Sequence, residues 1–249
     1  MLNIVIPMAG AGSRFAKAGF TDPKPLIPVH GIPMIRLVIS NIRPQCEHRF
    51  IFIVQNAHLE RYGLWEKLHA WAPGCEVIGI DGLTAGAACT VLKAKELIDG
   101  DAPLMIANSD QFINASIDAY LEHGSGKDGL VMTMKANDPK WSFIEPAPDG
   151  NIARIVEKEV ISDEATTGVY NFAHGGDFVR AAEAMIAADA RVNGEFYVAP
   201  AYNALIRDGK RIAWHSIGSV GAGMHGLGTP ADLADFLRLP LSRTAVEQA

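Results

Sequence analysis

Short runs of β-branched and apolar residues, spaced by stretches with helical periodicity, limit what this chain can fold into more than any other feature. Asn3 to Pro7, Arg49 to Val54, Glu76 to Ile80, Leu104 to Ala107 and Leu130 to Met134 each read as a buried strand. Helical patterns lie between them, near residues 34–42, 58–71, 87–97 and 115–122. Such alternation implies right-handed crossovers and an α/β fold, a mostly parallel central sheet flanked by helices on both faces. After about residue 140 the rhythm changes, with short strands at 152–156, 168–172 and 211–217 among helices near 178–188 and 197–206. No internal repeat, low-complexity stretch or long Pro/Gly/Ser linker interrupts the chain. One continuous domain over 1–249 is expected, its second half adding mixed elements beside the sheet and its polar tail, 242–249, fraying.

Composition narrows the class. A chain of 249 residues and 26.7 kDa can bury a full core. Its 22 Lys and Arg against 28 Asp and Glu give a net charge of −6, which speaks against a general nucleic-acid binder. The first residues carry no basic n-region, and no apolar run approaches the roughly eighteen residues of a membrane span. Cys46, Cys75 and Cys89 form neither an even set nor a Cys-x-x-Cys pair, as expected of small buried hydrophobes in a reducing cytoplasm.

The first strand runs directly into Met8-Ala9-Gly10-Ala11-Gly12-Ser13-Arg14-Phe15. Two glycines let a backbone turn closely around an anion, with consecutive N–H groups forming a nest. A P-loop needs Lys-Ser/Thr after the last glycine, and Ser13-Arg14 stands there instead. A dinucleotide fingerprint needs a third glycine, where Phe15 stands, and an acidic residue some twenty positions on; nothing acidic lies between Asp22 and Glu47. What remains is a glycine loop with its own arginine, followed by Pro23-Lys24-Pro25, whose prolines stiffen the backbone around Lys24. Arg14 as a fork and Lys24 as a point charge would suit a triphosphate. A turn with solvated charges is the plainer alternative, and the second motif at this distance weighs against it.

Together, Ala9-Gly10-Ala11-Gly12-Ser13-Arg14-Phe15 and Pro23-Lys24-Pro25-Leu26 resemble the signature of the sugar-1-phosphate nucleotidylyltransferases, the NDP-sugar pyrophosphorylases, from Met1 to about Phe236. The resemblance implies a Rossmann-like, GT-A-type fold with a nucleotide-binding half (1–140) and a mainly acceptor-binding half (141–240). It implies Mg²⁺-dependent condensation of an NTP with a sugar-1-phosphate to NDP-sugar and pyrophosphate, in the service of cell-surface polysaccharide precursors. Met8 to Ser13, with Arg14 and Lys24, would hold the nucleotide phosphates. Asp81 to Ala88 resembles the loop lying against the nucleobase, with Thr84, Gly86 and Ala87 in contact; on its residues alone, Thr84 would be a helix cap. Asp110 ends the fourth strand at the mouth where α/β sheets bind ligands. The resemblance makes it the Mg²⁺ ligand, against an ordinary turn aspartate.

Trp141-Ser142-Phe143-Ile144-Glu145 and Ile155-Val156-Glu157-Lys158 resemble the family's sugar-side hairpin. There Phe143 and Glu157 would meet the sugar and Lys158 its phosphate; on composition alone, Glu157-Lys158 is a solvated pair on a strand edge. Gly168 would let the sugar sit close, and a looser pattern adds Glu195, Tyr197 and Asn203 to the acceptor side. One departure stands out. Many members carry a second metal-binding aspartate in Asp-x-Gly-Thr, and this chain has Gly226-Leu227-Gly228-Thr229. Nearby Asp232 is expected to complete a capping box with Thr229, Pro230 taking the first helical position. His225 is a poor candidate for an oxygen-preferring cation.

The implied chemistry needs no enzyme nucleophile, only positioning and neutralisation of charge by Arg14, Lys24, Asp110 and Lys158. The expected partners are the NTP and the sugar phosphate, without nucleic acid or membrane, in a homo-oligomer as is frequent among such enzymes. Alternatives are a cytidylyltransferase of a non-sugar phosphate such as phosphocholine, and a non-catalytic nucleotide-sensing relative. A GT-A glycosyltransferase would show Asp-x-Asp, which Ser109-Asp110-Gln111 lacks.

Overall fold

A computed structural model describes residues 1–249. Its main sheet runs, edge to edge, through Ile212–Ser219, Gly129–Lys135, Glu164–Phe172, Leu104–Ala107, Leu2–Pro7, His48–Gln55 and Glu76–Ile80. Only Glu164–Phe172 lies antiparallel to its neighbours. A hairpin, Ser142–Pro146 with Ile152–Glu157, joins the sheet through the pairing of Phe143 with Ala165. The expected α/β architecture is the one found.

The inner parallel strands are buried on both faces. Leu2, Ile4 and Ile6 join Phe50, Phe52 and Val54 in one apolar cluster, under the helices Met34–Asn41, Leu64–Trp71 and Ile117–His123. Val5, Ile51 and Ile53 point the other way, into a second cluster under Ala87–Val91 and Gly175–Ala187. Each such side chain contributes roughly 1.5–3 kcal/mol by leaving water. Truncating Ile51 to Ala would cost about 2–5 kcal/mol, because close-packed layers collapse only partly around a cavity.

Three details differ from the sequence expectation. The helix expected over 58–71 is two, Asn56–Tyr62 and Leu64–Trp71, because Gly63 adopts a left-handed φ of 55° that ends the first. The strand expected at 168–172 spans Glu164–Phe172, with all nine residues buried. The tail does not fray. Pro240–Glu247 is a helix whose Ser242 and Ala245 are buried, and Arg36 and Ser40 donate to the carbonyls of Ala249 and Gln248.

Candidate active site

The C-terminal ends of Leu2–Pro7 and Leu104–Ala107 point to one edge of the sheet, so the loops after them, 8–12 and 108–110, meet there. Antiparallel Glu164–Phe172 brings its early residues to the same edge, and Asn108 N–H donates to Gly168 at 3.0 Å. Met8 and Ala9 send their side chains into opposite core clusters, leaving only backbone to face a ligand. Gln55 Nε2 fixes that backbone by donating to the Ala9 carbonyl at 2.7 Å. Gly10, Ala11 and Ser13 are open to solvent or nearly so. Gly12 has φ 59°, and a Cβ there would touch Lys24 Cβ at 3.4 Å, so the two sequence motifs pack against each other. Buried Phe15 anchors the short helix Ser13–Lys17 and leaves Arg14 exposed. Lys24 opens a 3-10 turn held by buried Pro25, and its Nζ meets Asp110 Oδ2 at 2.8 Å.

Asp110 sits in a cavity of about 320 Å³ together with Arg14, Asn108, Gln111, Lys140, Trp141, Lys158, Gly226, Gly228 and Asp232. A small ribbon that sequence periodicity did not reveal builds its floor, Gln111–Ile113 pairing with Met224–Gly226. Leu227 N–H donates to the Asp110 carbonyl at 2.8 Å. A Cβ on Gly228 would lie 2.6 Å from Asp110 Oδ2, so glycine is what leaves room for that carboxylate. Buried Gln111 has an Nε2 without any partner.

Thr229 caps the helix as expected, its Oγ1 accepting from Asp232 N–H at 3.1 Å. The reciprocal contact differs from a capping box, since the carboxylate accepts the Thr229 hydroxyl at 2.6 Å rather than a backbone N–H. It also lines the same cavity as Asp110. His225 does not; it is buried between Phe112 and Phe236, and burial lowers its pKa.

A second cavity, of about 180 Å³, continues from the first and shares Asn108, Lys140, Trp141 and Lys158 with it. Glu157, Tyr170, Tyr197 and Ala87 line it. Glu157 is 8% exposed and so is no solvated edge charge. Ser142 Oγ donates to its Oε2, and Lys158 Nζ stands 3.6 Å from its Oε1. Burial nonetheless outweighs both contacts and pushes the Glu157 pKa up. Lys158 holds φ 59°, and its ammonium lies 5.0 Å from the centre of the Tyr197 ring. Burial, with Glu195 and Glu157 nearby, pushes the Tyr197 hydroxyl up to about 12.

Four expectations need correction. Phe143 is fully buried in the core, and Trp141 and Ser142 of the same hairpin face the cavity instead. Asn203 spends its amide on the Ile155 backbone, donating at 2.7 Å and accepting at 2.8 Å, and so latches a strand. Gly168, φ 88°, lines the cavity, but a Cβ there would meet Asn108 and, at 2.9 Å, Gln111, so the protein's own packing requires it. Thr84 is no helix cap. Gly86 holds that position, while Thr84 bonds Thr90 Oγ1 at 2.6 Å and faces a separate depression with Ile78, Leu83 and Cys89. Gly86 itself, φ 133°, lies against Phe196, whose N–H donates to Ala85 at 2.9 Å and whose carbonyl accepts from Ala88 at 3.1 Å. Of the lining residues, Lys140 carried no sequence signal, and Gln111 stood beside Asp110 without one of its own. A larger cavity, about 760 Å³ near Leu2, Pro103 and Asn171, opens at the opposite end of the strands.

Residues 4–219 match the nucleotidyl transferase family. The chain belongs to that family. As a nucleotidyltransferase it resembles, in sequence and shape, the nucleoside-diphosphate-sugar pyrophosphorylase of Vibrio cholerae RC9. That likeness covers 95% of this chain and 100% of the other, at 30% identity and a TM-score of 0.82. The inositol-1-phosphate CTP transferase of T. maritima shares the fold, with a TM-score of 0.74 at 14% identity over 99% and 95% of the two chains. A bifunctional protein GlmU of Methanococcus maripaludis is 27% identical over 68% of this chain, and one of Cupriavidus metallidurans is 32% identical over 66%. The nucleotidyltransferase spans 39% and 35% of their respective lengths.

Proposed function

We propose that this nucleotidyltransferase condenses an NTP with a sugar-1-phosphate, releasing pyrophosphate and an NDP-sugar for cell-surface polysaccharide synthesis. The observation that carries the reading is the continuity of two cavities, one lined by Arg14 and by Asp110 with Lys24 paired to it, the other walled by buried Glu157. Lys158 stands at their junction. An oxygen of the sugar phosphate attacks the α-phosphorus, the bond to the bridging oxygen breaks, and pyrophosphate leaves with that electron pair. Arg14 and Lys24 neutralise the charge gathering on the leaving phosphates. Lys158 holds the incoming phosphate, and Glu157 accepts hydrogen bonds from acceptor hydroxyls.

The donor set fits Mg²⁺. No three His, Cys, Asp or Glu side chains converge anywhere in the chain, and Mg²⁺ asks for only one or two carboxylates beside phosphate oxygens and water. Asp110 would hold it, and the bound cation would supply charge neutralisation at the phosphates. The unpartnered Gln111 Nε2, a donor, fits a phosphate oxygen in the same cavity. Pyrophosphate release measured with four NTPs against a panel of sugar phosphates and phosphocholine tests the reading. Turnover with phosphocholine alone, or with nothing, would refute it.

Glu157→Gln separates function from stability. The folded pKa of Glu157 lies above its unfolded value, so its stabilising contribution exists at low pH and is lost as pH rises through the folded pKa. At neutral pH the buried charge is a cost. The variant should melt no lower than wild type at pH 7, while KM for the acceptor rises about tenfold and KM for NTP stays put. A selective rise for NTP would show the hairpin to be on the nucleotide side.

A further inference from the structure

We infer that Asp232, from the N-terminus of a C-terminal helix, supplies the second carboxylate to the cation, in place of the side chain absent at Gly226. The inference rests on the nucleotidyl-transfer reading and deepens it. The three atoms nearest to a Cβ built on Gly226 all belong to Asp232, with the carboxyl carbon 3.7 Å and Oδ2 3.8 Å away. The space a side chain at 226 would enter is therefore already bordered by a carboxylate arriving from another element.

That carboxylate is held and still available. Thr229 hydroxyl donates to Oδ2, and Oδ1 has no protein partner. Asp232 and Asp110 line one cavity. A second observation points to a ligand there: Gln111, 3% exposed, lines the same cavity with an unpartnered Nε2. An amide donor calls for an oxygen, and a phosphate oxygen beside a cation held by Asp110 and Asp232 would supply one. Arg14, Lys140 and Lys158 offset the negative charge of such a cluster. Gly226 has no positive φ, and the nearest atoms to its Cβ are at ordinary contact distance, so this position tolerates a side chain. That permits a transplant.

The test uses Mn²⁺ with inorganic tripolyphosphate, free of any base or acceptor, and reads free Mn²⁺ by electron paramagnetic resonance. Asp232→Asn should weaken Mn²⁺ binding at least roughly 10- to 100-fold, the range for losing even a group that only orients a metal's ligands. The double variant Gly226→Asp/Asp232→Asn should regain most of that loss, because the carboxylate returns from the other side. Melting temperatures of all three proteins show that each is folded. Unchanged Mn²⁺ affinity in Asp232→Asn overturns the inference and leaves the Asp232 carboxylate only a partner of the Thr229 cap. A folded double variant that regains nothing overturns it as well. If the Mn²⁺ pattern holds but no NTP and sugar phosphate pair releases pyrophosphate, the acceptor reading fails and the cation site stands.

Discussion

Lys24→Ala should lower kcat by roughly 10²–10³, the scale for removing one preorganised group that stabilises developing charge. Its stability should barely move. The Lys24–Asp110 pair is part-buried, but Asp110 lines a cavity that water can fill, so the lost pair should cost about 1 kcal/mol. For a chain of this size that is a melting shift of roughly 2–4 °C at most. Arg14→Ala should behave alike, since the guanidinium is exposed and makes no ion pair in the fold. The measurement is steady-state pyrophosphate release beside a thermal melt. Rates within about threefold of wild type in both variants, a change of only about 0.65 kcal/mol in barrier, would remove phosphate binding from the glycine loop.

Gly86→Ala should fail differently, through structure. With φ 133° and ψ 174°, residue 86 occupies a region that is essentially glycine's alone, and other residues pay about 1–3 kcal/mol to enter it. The added Cβ would also lie 2.5 Å from Phe196 N, which only backbone movement can relieve. Overpacking of that kind costs about 1–3 kcal/mol more. A fall in melting temperature on the order of 10 °C is expected. The loop 81–88 and the segment around Phe196 share two backbone hydrogen bonds, so KM for NTP and for acceptor should rise together. A variant that melts within about 2 °C of wild type would show that the contact yields easily.

How much of this was legible depends on whether a feature is local. Leu2–Pro7 and His48–Gln55 are buried on both faces, so they write themselves as unbroken apolar runs. Gly12 and Lys24 could be paired from spacing because a short loop joins them. The hairpin was harder. Whether Phe143 or its neighbour Ser142 faces the cavity turns on register, and a slip of one residue exchanges the faces. Asn203 looks like a ligand residue in sequence because its true partner, the Ile155 backbone, lies 48 residues away. The helix Pro240–Glu247 reads as polar, but its partners Arg36 and Ser40 sit near the other end of the chain. The nearness of Asp232 to Gly226 is likewise a matter of how a strand end and a helix start are folded together.

The Lys24–Asp110 pair has a bearing on the enzyme at rest. With ammonium and carboxylate 2.8 Å apart, each answers the other's charge. On the proposed reading, a stray phosphate would find Lys24 already engaged, and a stray divalent ion would find Asp110 in the same state. Nucleotide and cation arriving together would offer both a better match, and the two side chains would change partners at once. On the proposed reading, free NTP or free cation should each bind more weakly than the combination.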